Sequence, residues 1–229
     1  MAGLASFGKR LKYRALRHLP GERGYRYGRK YSRVVAPSEF EKAIGLCGGL
    51  TNIDLGANIG FYTRILAAGA KRVIAFEPDP WANAELRSNL ADLENVTIEN
   101  AAAGTSAGTV TLYRHARFAE MPALYSESSS VVADKDNVCL EEAVEVAQID
   151  FVAYLDNLQD SVGILKIDIE GAEVELLEAL FGRPDLLRRI EYIFVETHEA
   201  KIPGHKSRVR SLHEAARVMR HPRINMGWH

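Results

Sequence analysis

A doubly wound α/β domain with a mainly parallel sheet is the architecture this sequence predicts, and three observations predict it. Short apolar runs alternate with segments of helical periodicity from Thr51 onward. Runs such as "VIAF", "GILKI" and "YIFV" are apolar at consecutive positions, as strands covered on both faces must be. The chain has 229 residues, 47% hydrophobic and 26% charged, which suffices for one large core and leaves little room for a second.

Taken in order, the elements begin with Leu4, Phe7, Leu11, Ala15 and Leu19, which recur every three or four residues among lysines and arginines. That spacing predicts a basic amphipathic helix stopped at Pro20-Gly21. Gly21 to Ser32, rich in Gly, Arg and Tyr, reads as a loop. Pro37 to Leu46 reads as a helix, with Ser38 at its start and Gly48-Gly49 at its end. "TNIDLG" is a strand, Tyr62 to Ala68 a helix closed by Gly69, "RVIAFEP" a strand, Pro80 to Leu90 a helix and "VTIENAAAG" a strand. Between Gly104 and Asp160 the pattern weakens: "TVTLYRH" and "VEVAQIDFVAYL" resemble strands around the serine-rich "YSESSSVV". "VGILKIDIEG", Ala172 to Leu180 and "IEYIFVETHE" restore strand, helix, strand. The expected division is a basic N-terminal helical extension over 1–36, one α/β domain over 37–204 and a basic C-terminal tail over 205–229.

Charge is unevenly spread. Residues 1–33 hold ten of the 29 Lys and Arg against Glu22, and residues 200–229 hold seven against Glu214, leaving 12 basic and 28 acidic residues between them. The N-terminus lacks the apolar core of a signal peptide, and no apolar run reaches the ~18 residues of a membrane span. Cys47 and Cys139 belong to no C-x-x-C pair and read as free thiols. The cytoplasm is the expected location.

The stretch "NIDLGANIGFYT", Asn52 to Thr63, carries the chemistry. In a doubly wound sheet ligands sit outside the carboxyl ends of the strands, and Gly56 and Gly60 let backbone approach one closely. A dinucleotide fingerprint needs G-x-G-x-x-G, yet Asn58 stands two residues after Gly56 and Phe61 five after. Asp54 also repels a pyrophosphate while suiting an ammonium or sulfonium. Glu77 closes the second strand 23 residues later, where a carboxylate can accept hydrogen bonds from both ribose hydroxyls. An adenosine with a cationic tail and no phosphate describes S-adenosylmethionine. Without a ligand, the same pattern makes Asp54 a turn cap and Gly60 a packing residue.

"DLGANIGFYT", "VIAFEPDPWANAELRSNL", the "SSS" before Val131, "LKIDIEGAEVELLEAL" and "FVETHE" together span Thr51 to Glu199. In these motifs the chain resembles the FkbM family of S-adenosylmethionine-dependent methyltransferases. The resemblance implies a Rossmann-like class I methyltransferase fold and methylation of a hydroxyl oxygen, often on a sugar or polyketide-type product. By position it implies Asp54, Gly56, Asn58 and Gly60 on the methionine side of the cofactor, Glu77 at the ribose and Asn100 near the adenine. Phe61, Thr63, Pro78 and Asp168 complete the implied cofactor set, and Tyr125 and Ser129 are acceptor contacts on the same ground.

An alcohol acceptor must lose its proton as the new bond forms, so a carboxylate or imidazole is needed at the strand ends. "KIDIEG" offers Asp168 and Glu170, and "VETHE" offers Glu196 and His198. His198 is the expected general base, with Asp168 or Glu170 orienting it or the acceptor. The bland reading makes the acids helix caps and His198 a polar loop residue. The four could also gather a divalent ion, but no metal is assigned. A base-amino methyltransferase calls for an Asn/Asp-Pro-Pro-aromatic turn where "DIEGAE" stands, and a pyrimidine-carbon enzyme for a nucleophilic cysteine after proline, so oxygen is favoured.

The basic ends, with Tyr13, Tyr25, Tyr27 and Tyr31 interleaved in the first, suit an anionic glycan or a peripheral membrane contact, with nucleic acid the least favoured partner. Alternatively the first helix packs on the acidic domain and leaves its charges in water. The expected function is transfer of a methyl group from S-adenosylmethionine to a hydroxyl of a saccharide or secondary metabolite. The competing reading is a non-catalytic S-adenosylmethionine-binding protein acting through its basic ends. The oligomeric state stays open.

Overall fold

The computed structural model describes residues 2–228; the side chains of residues 2–7, Leu4 and Phe7 among them, lie outside that description. The chain opens with α1 (Ala2–Leu16) and α2 (Gly21–Leu46), then alternates through β1 (Thr51–Leu55), α3 (Phe61–Ala67), β2 (Arg72–Phe76), α4 (Pro80–Asn89) and β3 (Val96–Glu99). Next come β4 (Ala102–Gly104), β5 (Gly108–Arg114), α5 (Pro122–Tyr125), a 3-10 turn at Ser126–Ser128, β6 (Cys139–Asp150) and α6 (Phe151–Asn157). β7 (Val162–Ile167), α7 (Glu173–Phe181), α8 (Pro184–Leu187), β8 (Ile190–Val195), α9 (His205–Val218) and β9 (Arg223–Asn225) complete it.

The main sheet has the order β3-β2-β1-β7-β8-β9, and every pair in it is parallel. Every residue of β1 and β7 is buried, which is why both read as unbroken runs rather than alternating ones. One core joins Ile53, Phe76, Leu165 and Ile193 of the sheet to Leu176 of α7 and Leu212 of α9. The other face packs Phe40 of α2 between Phe194 (rings 5.0 Å apart) and Trp228 (4.2 Å), tying the two ends of the chain across the sheet. Successive crossovers run from β1 outward to β3, and then the chain returns to place β7 on the other side of β1. The carboxyl ends of β1 and β7 therefore part their following loops at a topological switch point, where a crevice forms.

Four segments differ from expectation. Gly21 to Ser32 is helical, because α2 runs unbroken through Pro37. Its small and aromatic residues are covered by α1 and by the chain's end: the Tyr13 and Tyr27 rings are 6.0 Å apart, and Asn225 Nδ2 donates to Ser32 O at 3.2 Å. "VTIENAAAG" divides into β3 and β4, the latter in a second sheet of order β4-β6-β5. "VEVAQIDFVAYL" divides at Asp150, whose carboxylate accepts from Ala153 N at 3.0 Å and caps α6. Residues 205–229, expected as a tail, supply α9 and the sheet's edge strand. The buried stripe of Val209 and Leu212 is masked in the sequence by the arginines around it. Among the described residues no helix is long and apolar enough to cross a membrane.

Candidate functional site

A cavity of about 670 Å³ opens at the carboxyl ends of β1, β2, β7 and β8, walled on one side by Ser126–Ser130. Gly56 sets its floor. With φ 77° it turns the chain out of β1, and a Cβ there would stand 1.8 Å from the backbone oxygen of Asp168, so the exits of β1 and β7 touch through the missing side chain. Asn58 follows, also left-handed at φ 45°, with its Oδ1 buried and lacking a hydrogen-bond partner.

Glu77 lies at the exit of β2, 7% exposed. Its Oε2 accepts from Asn58 N and its Oε1 from Asp79 N, both at 2.8 Å. Burial pushes this carboxyl up to about 7 even though the two amides pull the other way. Its backbone is braced in turn: Asn83 and Asn100 both donate to Glu77 O, at 3.1 and 2.8 Å. Asp79 caps α4 and takes Arg114 Nε at 2.6 Å. Of the expected cofactor set, Gly56, Asn58, Phe61, Glu77, Pro78 and Asp168 line the cavity.

Four others of the expected cofactor set do not. Asp54 is wholly buried behind the loop, accepting from Thr63 Oγ1 at 2.7 Å and pairing with Lys166 Nζ at 3.1 Å. Thr63 is consumed by that bond. Gly60 begins α3 and packs beside Leu86 and Leu90. Asn100 spends its amide on Glu77 O and Pro78 O at the outer surface of the strand end. Each supports the wall rather than forming it, because its contacts are made with the protein behind the cavity.

The β7–β8 rim gathers the ionisable groups. His198 Nδ1 lies 2.7 Å from Glu173 Oε1, and Nε2 lies 3.3 Å from Glu170 Oε2 and 3.9 Å from both Asp168 and Glu196. Burial alone lowers an imidazole, but the bonds and charges of Glu170 and Glu173 outweigh it and push His198 up to about 10. The shift favours the imidazolium, which has no lone pair to accept a proton, and so weighs against the expected role of His198 as base. Glu196 is pushed up to about 7, by burial first and then by Asp168. Asp168 is also raised, chiefly by burial, although Lys166 and His198 oppose it. Glu170, at φ 55°, is held low by His198 and Lys135 against its burial, with Lys135 Nζ 2.5 Å from Oε2.

Asp168, Glu170 and His198 each offer a ligand atom within 4.8 Å of the others, the geometry of a possible cation cluster. The imidazolium and Lys135 already supply positive charge to Glu170 there, and Glu196 is outside the group.

Several residues of this site escaped the sequence reading. Lys166 sits fully buried between Asp54 and Asp168, and a lysine inside the apolar run "GILKI" was the signal for it. Glu173, three residues after Glu170, was available as the His198 partner. Lys135 had no local signal. Ser126 joins Ser129, the latter expected as an acceptor contact, in lining the cavity with buried hydroxyls that lack hydrogen-bond partners among the described residues. Tyr125 instead stacks on His115 at 4.3 Å.

The family model described as the methyltransferase FkbM domain matches residues 54–221 of this chain. Among curated proteins none matches. Among solved structures, the crystal structure of the methyltransferase FkbM from Methylobacillus flagellatus KT is similar at 17% identity and a TM-score of 0.41. That likeness covers 77% of this chain and 44% of that one, so the chain spans less than half the length of its structural relative. With the FkbM domain running from Asp54 near the end of β1 to His221 just before β9, the chain belongs to the FkbM methyltransferase family.

Proposed function

We propose that the chain transfers a methyl group from S-adenosylmethionine to a hydroxyl oxygen of a small polyhydroxylated molecule, a saccharide or secondary metabolite, in the cytoplasm. The observation that carries this reading is Glu77: a buried carboxylate held by two backbone amides at the rim of a cavity whose opposite strands end in acids. Each of its oxygens has a second lone pair for a ribose hydroxyl. The unpartnered Oδ1 of Asn58 offers a further acceptor, and the cavity volume suits a ligand of this size. The residues present fit the cofactor.

Bound there, S-adenosylmethionine supplies an electrophilic methyl on a sulfonium. The protein's part is to align the acceptor, exclude water and take one proton. Glu196, partly open to the cavity and with a carboxyl near neutrality, is the group we assign to take it. His198 acts as a positioning residue, a fixed positive charge that draws Glu170 and Glu173 together and faces Glu196 and Asp168. The orphaned hydroxyls of Ser126 and Ser129 suit an acceptor bearing several hydroxyl groups.

The test is a panel of sugars and hydroxylated natural products incubated with S-adenosylmethionine labelled in its methyl carbon. Product spectra showing a methyl ether support the reading, and a label on nitrogen or carbon overturns the oxygen acceptor. Glu196→Gln is expected to lower kcat by about 10²–10⁴-fold while binding the cofactor normally. Full turnover by that variant would remove Glu196 as base. Cofactor binding with no turnover across the panel would favour the non-catalytic reading.

A further inference from the structure

The two basic ends of the chain, far apart in sequence, meet in the fold. Arg210 pairs with Glu22 at 2.9 Å, the rings of Tyr25 and His213 cross at 5.7 Å, and Arg217 reaches the Arg17 backbone oxygen at 3.4 Å. Between α2 on one side and α9 and β9 on the other lies a second cavity, of about 730 Å³, separate from the site described above in every lining residue.

Its walls are mixed. Val35, Phe194 and Met226 give it a buried apolar surface, and Tyr192 and Tyr31 add aromatic faces. Arg17, Lys42, Arg217 and Arg223 stand around it, and among the described residues none of the four has a carboxylate partner. Arg17 lies over the Tyr31 ring at 4.4 Å and Arg223 over Tyr192 at 5.7 Å. Of the two acids of the lining, Glu39 accepts at 2.7 Å from the amide of Asn225, also in the lining, and Glu214 pairs with Arg210 at 3.2 Å. Arg29 is neutralised by Glu199. His213 Nε2 is buried without a hydrogen-bond partner among the described residues. Burial, and then Arg29, pulls that imidazole down to about 3, so it is neutral. A cavity with four unpaired cations, an orphaned polar atom and an apolar floor is complementary to a ligand with a multiply charged anionic head and an apolar body.

We propose that this cavity binds a phosphate monoester amphiphile, its phosphate among Arg17, Lys42, Arg217 and Arg223 and its aliphatic part along Val35, Phe194 and Met226. The site is independent of the methyl-transfer reading. It gives the charge asymmetry of the sequence a purpose that packing the first helix on an acidic domain does not.

Calorimetric titration of the full chain with octyl phosphate, alongside inorganic phosphate and octanol, tests it. One saturable site for octyl phosphate is expected, at least tenfold tighter than inorganic phosphate and undetectable for octanol. Arg217→Glu should weaken it tenfold or more, Lys12→Glu on α1 outside the lining should not, and S-adenosylmethionine binding should be unchanged in both. Lys42→Glu serves as a second variant if the first melts early. Vesicles of phosphatidylcholine with phosphatidic acid separate the sources: co-sedimentation lost in the same variants assigns a membrane lipid, and its absence beside octyl phosphate binding assigns a soluble phosphoester. Equal affinity for inorganic phosphate, or octyl phosphate binding that ignores both charge reversals, overturns the proposal.

Discussion

Gly56 and His198 show how much a single residue decides. The Cβ that Gly56→Ala adds would fall 1.8 Å from Asp168 O, a backbone atom just past the end of β7, and at φ 77° it would also be strained. The β1 and β7 exits must then separate, so the variant should lose cofactor binding by calorimetry while its circular dichroism keeps the α/β signature. At His198 the charge is the point. His198→Ala leaves Glu170 and Glu173 facing one another with Lys135 as the remaining counter-charge, a loss on the order of 3–5 kcal/mol by denaturant unfolding. The pH dependence has a definite sign. The folded imidazole is raised from 6.5 to about 10, so its stabilisation is fully present below 6.5 and is lost as pH climbs toward 10. Wild-type stability should fall across that window, and His198→Gln should flatten the fall; an unchanged slope would mean that the imidazolium is not formed.

The elements that hold the site in place are held by their neighbours. α2 contributes Phe40, whose ring meets Tyr62, Phe194 and Trp228 at 6.0, 5.0 and 4.2 Å. Phe40→Ala should cost about 3–5 kcal/mol, measured as a shift in the urea midpoint, and loosen α3, whose residues Phe61 and Tyr62 face the cavity. β9 is the outer strand, pairing Tyr192↔Arg223 through Phe194↔Asn225. A chain ended at residue 204 would lose it along with Val209 and Leu212 of the core, leaving β8 as a bare edge. Such a truncation should aggregate on expression, as read by size-exclusion chromatography.

On the function proposed above, two carboxyls raised to about 7 act at different steps. Glu77 must be ionised to accept from a ribose, and burial raises it to about 7, so cofactor affinity should strengthen as pH rises through 7. Glu196, as the proposed base, would have to be ionised to take the acceptor's proton, so kcat should rise over the same range. Glu77→Gln should remove the pH dependence from the cofactor Kd, and Glu196→Gln should remove it from kcat; the reverse pattern would exchange their roles.

What the sequence determined by itself was local. Consecutive apolar residues write a strand buried on both faces, and the β1 glycine turn with Glu77 closing the next strand writes a crevice at the switch point. So the α/β class, the parallel sheet and the placing of Gly56 and Glu77 at strand exits were legible from residues close together in the chain, while Asn58 came from the family resemblance. The failures were local patterns too: arginines hid the apolar stripe of α9, and glycines with tyrosines disguised the first turns of α2. Only the tertiary structure decided the raised imidazole of His198, set by Glu170 and Glu173, 28 and 25 positions away, and the retreat of Asp54 behind the loop onto Lys166, 112 positions away. The meeting of the basic ends belongs with these, since Arg210 and Glu22 pair across 188 positions. Electrostatic environment depends on distance and burial in space, and a linear pattern of residue types carries neither.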